Sequence, residues 1–286
     1  MVKRVQFFLS PLVKTVKMFR GKKTIWRIRW FCLVIFFLMT NFDVAYGWGS
    51  QSHRVIGYIA ELNLASKSKK IIVEKFNIKN LADVANWADK VKKKRKDERP
   101  WHYNNIKENE LTYVIARDCP KKNCVTEKIK EFAEILKNNE SSFRKRKEAL
   151  KYLVHFVGDI HEPLHLGNSR DRGGGKIYLT YLGRNVNLHY LWDGGLIDWG
   201  KVSFTKYATH LDKKFVKFEK SEWLDTNVND WANESRLLAL KYAYPFGAKI
   251  LSKDYIIKSR EILDERMTQA GVRLADLLNE ILKFKE

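Results

Sequence analysis

Two segments of this 286-residue chain share a spacing that can do chemistry. His155-Phe156-Val157-Gly158-Asp159 leads on to His165, and His189-Tyr190-Leu191-Trp192-Asp193 repeats the H-x3-D pattern. Residues four apart on a helix project from one face with Cβ atoms ~5–6 Å apart. That lets an imidazole and a carboxylate close on one metal ion at ~2 Å each, so either pair is half of a metal site. The run Tyr152 to Ile160 is apolar all round, as in a helix buried on every side. A carboxylate there costs several kcal/mol unless it is paired or coordinates a metal. No Lys or Arg lies within helical reach of Asp159, because positions 155, 156, 162 and 163 are His, Phe, Glu and Pro. Its simplest partner is a cation from outside the chain. A core-stabilising Asp–His hydrogen bond is the other reading of a single pair. Two pairs accompanied by Asp89, His102 and His53 favour the metal.

The elements that must position these groups read as mainly helical. In Asn80 to Val91, Leu81, Ala85 and Asp89 recur at i, i+4 and i+8, which predicts one helix with Asp89 on its apolar stripe. Thr126 to Asn139 is amphipathic behind a Thr cap, and Asp254 to Lys283 predicts a long amphipathic helix. Lys176 to Leu182 alternates with β-branched and aromatic residues; a tight turn at Gly183-Arg184 then leads to Asn185–Leu188, one small hairpin. No repeat, linker or low-complexity block interrupts residues 48–286. The expectation is a single, mainly α domain over 48–286 with a small β-hairpin and its metal cluster in a cleft.

Residues 1–47 hold nine Lys or Arg and one acidic residue, and they lead into the apolar run Trp30 to Met39. At about ten residues this is half of what a bilayer span needs, ~20. With small residues at Ala45 and Gly47 it reads as a signal peptide cleaved after Gly47, which implies a secreted or periplasmic protein whose start is Met1 or Met18. Removing nine of the 54 basic and one of the 33 acidic residues leaves a balance of +13. Such a field draws polyanions but says nothing about fold. Of three cysteines, Cys32 leaves with the leader; the remaining pair, Cys119 and Cys124, predicts a disulfide in an oxidising compartment.

Ordered along the chain are W-x4-H (Trp48, His53), W-A-D (Trp87 to Asp89), W-H-Y (Trp101 to Tyr103), H-F-x-G-D-x-x-x-P-L-H (His155 to His165) and N-L-H-x-x-W-D (Asn187 to Asp193). Together these motifs, over Trp48 to Asp193, resemble the zinc-dependent single-strand nucleases and 3′-nucleotidases of the S1/P1 family, distant relatives of zinc phospholipase C. The resemblance implies three zinc ions. One would be held by Asp89, His102, His155 and Asp159; a second by His165, His189 and Asp193; a third by His53, Asp159 and the α-amino nitrogen and carbonyl of Trp48. Trp48 would then have to be the first mature residue. The implied reaction is hydrolysis of single-stranded DNA and RNA to 5′-phosphate products by a hydroxide held between two zincs, together with 3′-nucleotidase activity. Lys92 would touch the transition-state phosphate, Tyr103 would stack a base, and Asn105 would stand where some relatives read the base edge with Asp. Gly175 departs from the Asn of many relatives, His161 is expected either just behind the ligands or at the pocket rim, and His210 has no assigned role. The alternatives are a zinc phospholipase C, which would share nearly the same ligands, and a metal-free basic binding protein that keeps its leader.

Overall fold

A computed structural model describes residues 49–215, 221–224, 227–244 and 249–283. The expected leader, its cleavage point and Trp48 lie outside the described residues. Among those described, the chain is mainly helical with a single two-stranded antiparallel hairpin, as expected. The helices are α1 (Ser50–Asn63), α2 (Ser66–Glu74), α3 (Leu81–Val84), α4 (Trp87–Val91), α5 (Ile115–Asp118), α6 (Val125–Lys137), α7 (Phe143–His161), α8 (Leu188–Tyr190), α9 (Phe204–Lys214), α10 (Val228–Leu238) and α11 (Lys253–Leu282). Tight 3₁₀ turns run over Lys96–His102 and Pro163–Leu166, and the strands are β1 (Tyr178–Tyr181) and β2 (Arg184–Asn187). No helix among the described residues is long and apolar enough to cross a membrane.

Helix α7 is the axis on which the site is built. Ser142 caps its start by accepting from the Lys145 amide. Its second half, from Ala149 to His161, is buried except for Lys151. It ends where Pro163 demands an extended residue before it, and Glu162 obliges with φ −79° and ψ 118°. Glu162 then caps the 3₁₀ turn, its carboxylate accepting from the His165 amide at 2.8 Å. Two apolar clusters flank this arrangement. One packs α6, α7 and the C-terminal half of α11; the other packs α1, α9, the hairpin and the N-terminal half of α11.

Three local expectations are corrected. Thr126 does not cap α6, which starts at Val125 behind Cys124 with no side-chain cap. Leu81 to Asp89 is not one helix, because the chain breaks at Ala85-Asn86 into α3 and α4, and the freed Ala85 carbonyl accepts from His155 Nδ1 at 2.7 Å. The hairpin turn is Leu182-Gly183, one residue earlier than expected: Tyr181 pairs with Arg184, and both turn residues have positive φ (49° and 72°). A two-residue turn with positive φ at both positions matches the right-handed twist of its strands, so the glycine belongs at the second position.

Candidate metal centre

Four segments converge on Asp159, which α7 buries completely. Helix α1 brings His53 Nε2 to 3.3 Å from Asp159 Oδ1. The 3₁₀ turn ending at His102 brings Nδ1 to 2.8 Å from Asp159 Oδ2, and His155, one turn earlier on α7, places Nε2 at 3.2 Å from the same oxygen. From α4, Asp89 Oδ1 lies 3.5 Å from His155 Nε2 and 3.8 Å from His102 Nδ1. A second group adjoins: His165 Nε2 is 3.4 Å from Asp193 Oδ1, and His189 Nε2 is 3.4 Å from Asp193 Oδ2. Two ligands ~2.1 Å from one ion at the tetrahedral angle stand about 3.4 Å apart, so the 3.3–3.5 Å spacings are those of donors around an ion, while His102 and Asp159 at 2.8 Å share a hydrogen bond. The packing that creates them is tight. A Cβ at position 158 would fall 2.9 Å from His53 Nδ1, so Gly158 lets α1 close on α7.

Backbone carbonyls orient three of the rings. His155 Nδ1–H donates to Ala85, His165 Nδ1–H to the His102 carbonyl (2.7 Å) and His189 Nδ1–H to the Gly173 carbonyl (2.8 Å). With Nδ1 committed to a carbonyl, each Nε2 faces inward, the orientation in which it can meet a metal ion. Buried polar atoms are almost always hydrogen-bonded. Here Asp159 Oδ1, both Asp193 oxygens, His165 Nε2, both His53 nitrogens and Glu162 Oε1 are buried without such a partner. The donor set of imidazoles and carboxylates, orphaned and inward-facing, fits divalent ions of the zinc type.

The electrostatics show what the metal-free protein does instead. Burial pushes the His155 imidazole down, but the charges of Asp159 and Asp89 overcome this and raise it to about 10. His165 behaves alike and rises to about 9 against its burial, through Asp159 and Asp193. Burial lowers His53, and lowers His102 to about 4 despite its Asp159 hydrogen bond. Asp159 is held well below the usual carboxylate range, its burial outweighed by His155 and His165. Protonated imidazoles thus occupy the role of cations.

The structure brings together two overlapping sets that share His155, one of His53, Asp89 and His155 and one of His102, His155 and Asp159, and groups His165, His189 and Asp193 in another. The second H-x3-D pair is not on a regular helix: α8 carries His189, and the chain widens into a π-type turn over Leu191–Gly195 that carries Asp193. The amide of Gly49 donates to the Asp193 carbonyl, tying the residue after Trp48 to this second group. Lys92 Nζ sits 2.5 Å from Asp89 Oδ1, while Tyr103, beside His102, is 36% exposed and Asn105 is exposed. Cys119 and Cys124 form the expected disulfide. His161 is not at a rim. It is fully buried, its Nδ1–H donates to Val157 and its Nε2 accepts from Arg273, because two residues beyond Asp159 a helix has turned ~200° away. Sequence reasoning missed Glu162, which groups with His165, His189 and Asp193. The signal was present: a lone carboxylate three residues before His165, ahead of a helix-stopping proline.

Residues 48–283 match the S1/P1 nuclease family. Endonuclease 3 of Arabidopsis thaliana is 30% identical over 292 residues, covering 91% of this chain and 97% of its own length. Nuclease S1 of Aspergillus oryzae is 29% identical, covering 84% of this chain and 93% of itself. Nuclease P1 of Penicillium citrinum is 26% identical, with 82% and 97% covered.

Proposed function

The chain belongs to the S1/P1 nuclease family, and we propose that it is an exported, zinc-dependent endonuclease that hydrolyses single-stranded DNA and RNA to 5′-phosphate products and removes 3′-phosphates from mononucleotides. The orphaned donor atoms around Asp159 and Asp193, spaced as ligands of an ion, carry this reading. Asp89, His102, His155 and Asp159 would hold one ion, His165, His189 and Asp193 a second, and His53 and Asp159 a third with the terminal amine of Trp48. Bound divalent ions would supply Lewis acidity and bring the pKa of a coordinated water near neutrality, so no nucleophilic side chain is needed.

The protein's own residues do the rest. Signal cleavage after Gly47 frees the Trp48 amine, whose ordinary pKa of ~7.7–8.0 makes its proton easy to displace. Lys92, paired to Asp89, supplies positive charge at the edge of the cluster, where the phosphate arrives. The exposed ring of Tyr103 offers a face to a base, which must be unpaired to stack, so single strands are preferred. Asn105 is exposed on the same strand of chain to contact the base edge. The basic balance of the whole chain draws the polyanion in.

Intact mass and elemental analysis of the exported protein, with end-labelled single-stranded and duplex oligonucleotides, test this. Three zinc ions on a chain beginning at Trp48, and single strands cut to 5′-phosphate ends, are expected. A metal-free protein that retains its leader, or turnover that survives exhaustive chelation, overturns it.

A further inference from the structure

We infer that Glu162 is the fourth protein ligand of the ion held by His165, His189 and Asp193. The inference rests on the metal reading above and assigns a residue to one of its sites. Glu162 is completely buried, one oxygen is committed to the His165 amide at 2.8 Å, and the other has no hydrogen-bond partner. Among the described residues no Lys or Arg salt bridge reaches it; His165 Nε2 lies 3.8 Å from Oε2. One oxygen of Glu162, His165 Nε2, His189 Nε2 and an Asp193 oxygen all lie within 4.8 Å of one another, so a single ion can touch all four.

A buried carboxylate with an unpartnered oxygen is costly for a protein to carry. Its placement is also built rather than incidental: Pro163 fixes the extended backbone of Glu162, and the 3₁₀ cap aims the carboxylate at His165, one turn away. A divalent ion would neutralise the buried carboxylate. Two imidazoles and two carboxylates balance a divalent charge, and the added carboxylate would hold the ion more firmly than the other three groups alone.

The test uses zinc itself on the purified protein. Graded chelator competition followed by elemental analysis is run on the wild type and on Glu162→Gln, whose amide oxygen retains the His165 cap. Removing a group from a metal site's immediate surroundings typically weakens binding 10–100-fold. One zinc equivalent should therefore leave E162Q at a chelator concentration at least about tenfold lower than in the wild type, with the other equivalents unmoved. An E162Q protein that retains every equivalent at wild-type affinity overturns the assignment and leaves the nuclease reading intact, whereas a wild type that binds no zinc overturns both. Should E162Q not fold, anomalous diffraction from the zinc-loaded wild type decides. A Glu162 oxygen ~2.0–2.2 Å from the ion supports the inference; a water interposed between them overturns it.

Discussion

Asp159 and His161 stand two residues apart on α7, both fully buried, yet they face clusters of opposite character. On the His161 side every group is satisfied. Glu234 accepts from Arg266 and Arg273 at 2.6–2.8 Å, Arg266 also donates to Ser235, Gln269 and the His161 carbonyl, and Arg273 closes on His161 Nε2 at 2.9 Å. On the Asp159 side imidazoles crowd carboxylates, and buried atoms are left without hydrogen bonds. Both sides are polar, buried and centred on one helix, so burial alone does not mark a functional site. What differs is completeness: a network that closes on its own donors and acceptors holds the fold, and one that leaves inward-facing lone pairs requires a ligand.

The sharpest way to break the comparison is to change one residue on each side. Asp159→Asn removes a carboxylate shared among the ligand groups and with it several kcal/mol of transition-state stabilisation, so cleavage should fall roughly 10³-fold and bound metal should drop. Oligonucleotide turnover and elemental analysis check this; unchanged metal content would erase the distinction between the two sides.

Proton linkage probes the same cluster. His155 and His165 are raised in the metal-free protein, so the stability they confer is complete below the ordinary imidazole pKa and is lost as pH rises through about 9 and 10. Metal binding must displace those protons. Zinc affinity should therefore weaken about tenfold per displaced proton for each pH unit of acidification below neutrality, and calorimetry in two buffers of different ionisation enthalpy should register proton release. Zero release would show that the rings are already neutral.

On the closed side, Glu234→Gln should cost roughly 1.5–3 kcal/mol in urea unfolding at pH 7 while zinc content stays at the wild-type level. Glu234 is held below its ordinary range, its burial outweighed by Arg273 and Arg266. Its contribution is present above the usual carboxylate pKa and lost as pH falls through the depressed value. The gap between wild type and E234Q should accordingly narrow toward acid. A loss of metal in E234Q would mean that the two sides are coupled.

The smallest effect is expected outside both clusters. Tyr103→Ala should leave metal content and stability alone and raise KM for single-stranded substrate about tenfold, the lower range of a lost base stack. An unchanged KM would leave the exposed ring without a role.

How much was legible follows from how local each feature is. The His155–Asp159 pair was readable because α7 is regular through it, and the apolar run around it announced burial. The stripe through Asp89 pointed to the right residue for a partly wrong reason: the helix breaks at Ala85-Asn86, and it is the break that supplies the carbonyl orienting His155. His189 and Asp193 meet despite a π-type turn between them. His161 was misplaced because a linear motif does not show which way a residue two positions along a helix faces. Glu162 was passed over because its significance comes from Pro163 and from its grouping with His189 and Asp193, 27 and 31 residues further along.

The sequence by itself determined the chemistry available: which imidazoles and carboxylates exist, that several sit in apolar runs with no neighbouring cation, and that two cysteines pair. Those are properties of composition and of spacing within a few residues. Only the tertiary structure decided which donors share a point in space, which tautomer each ring adopts and which buried polar cluster is complete. These depend on carbonyls and side chains brought from distant segments, and a hydrogen bond or a metal bond is satisfied by geometry of tenths of an ångström that no spacing along a chain can encode.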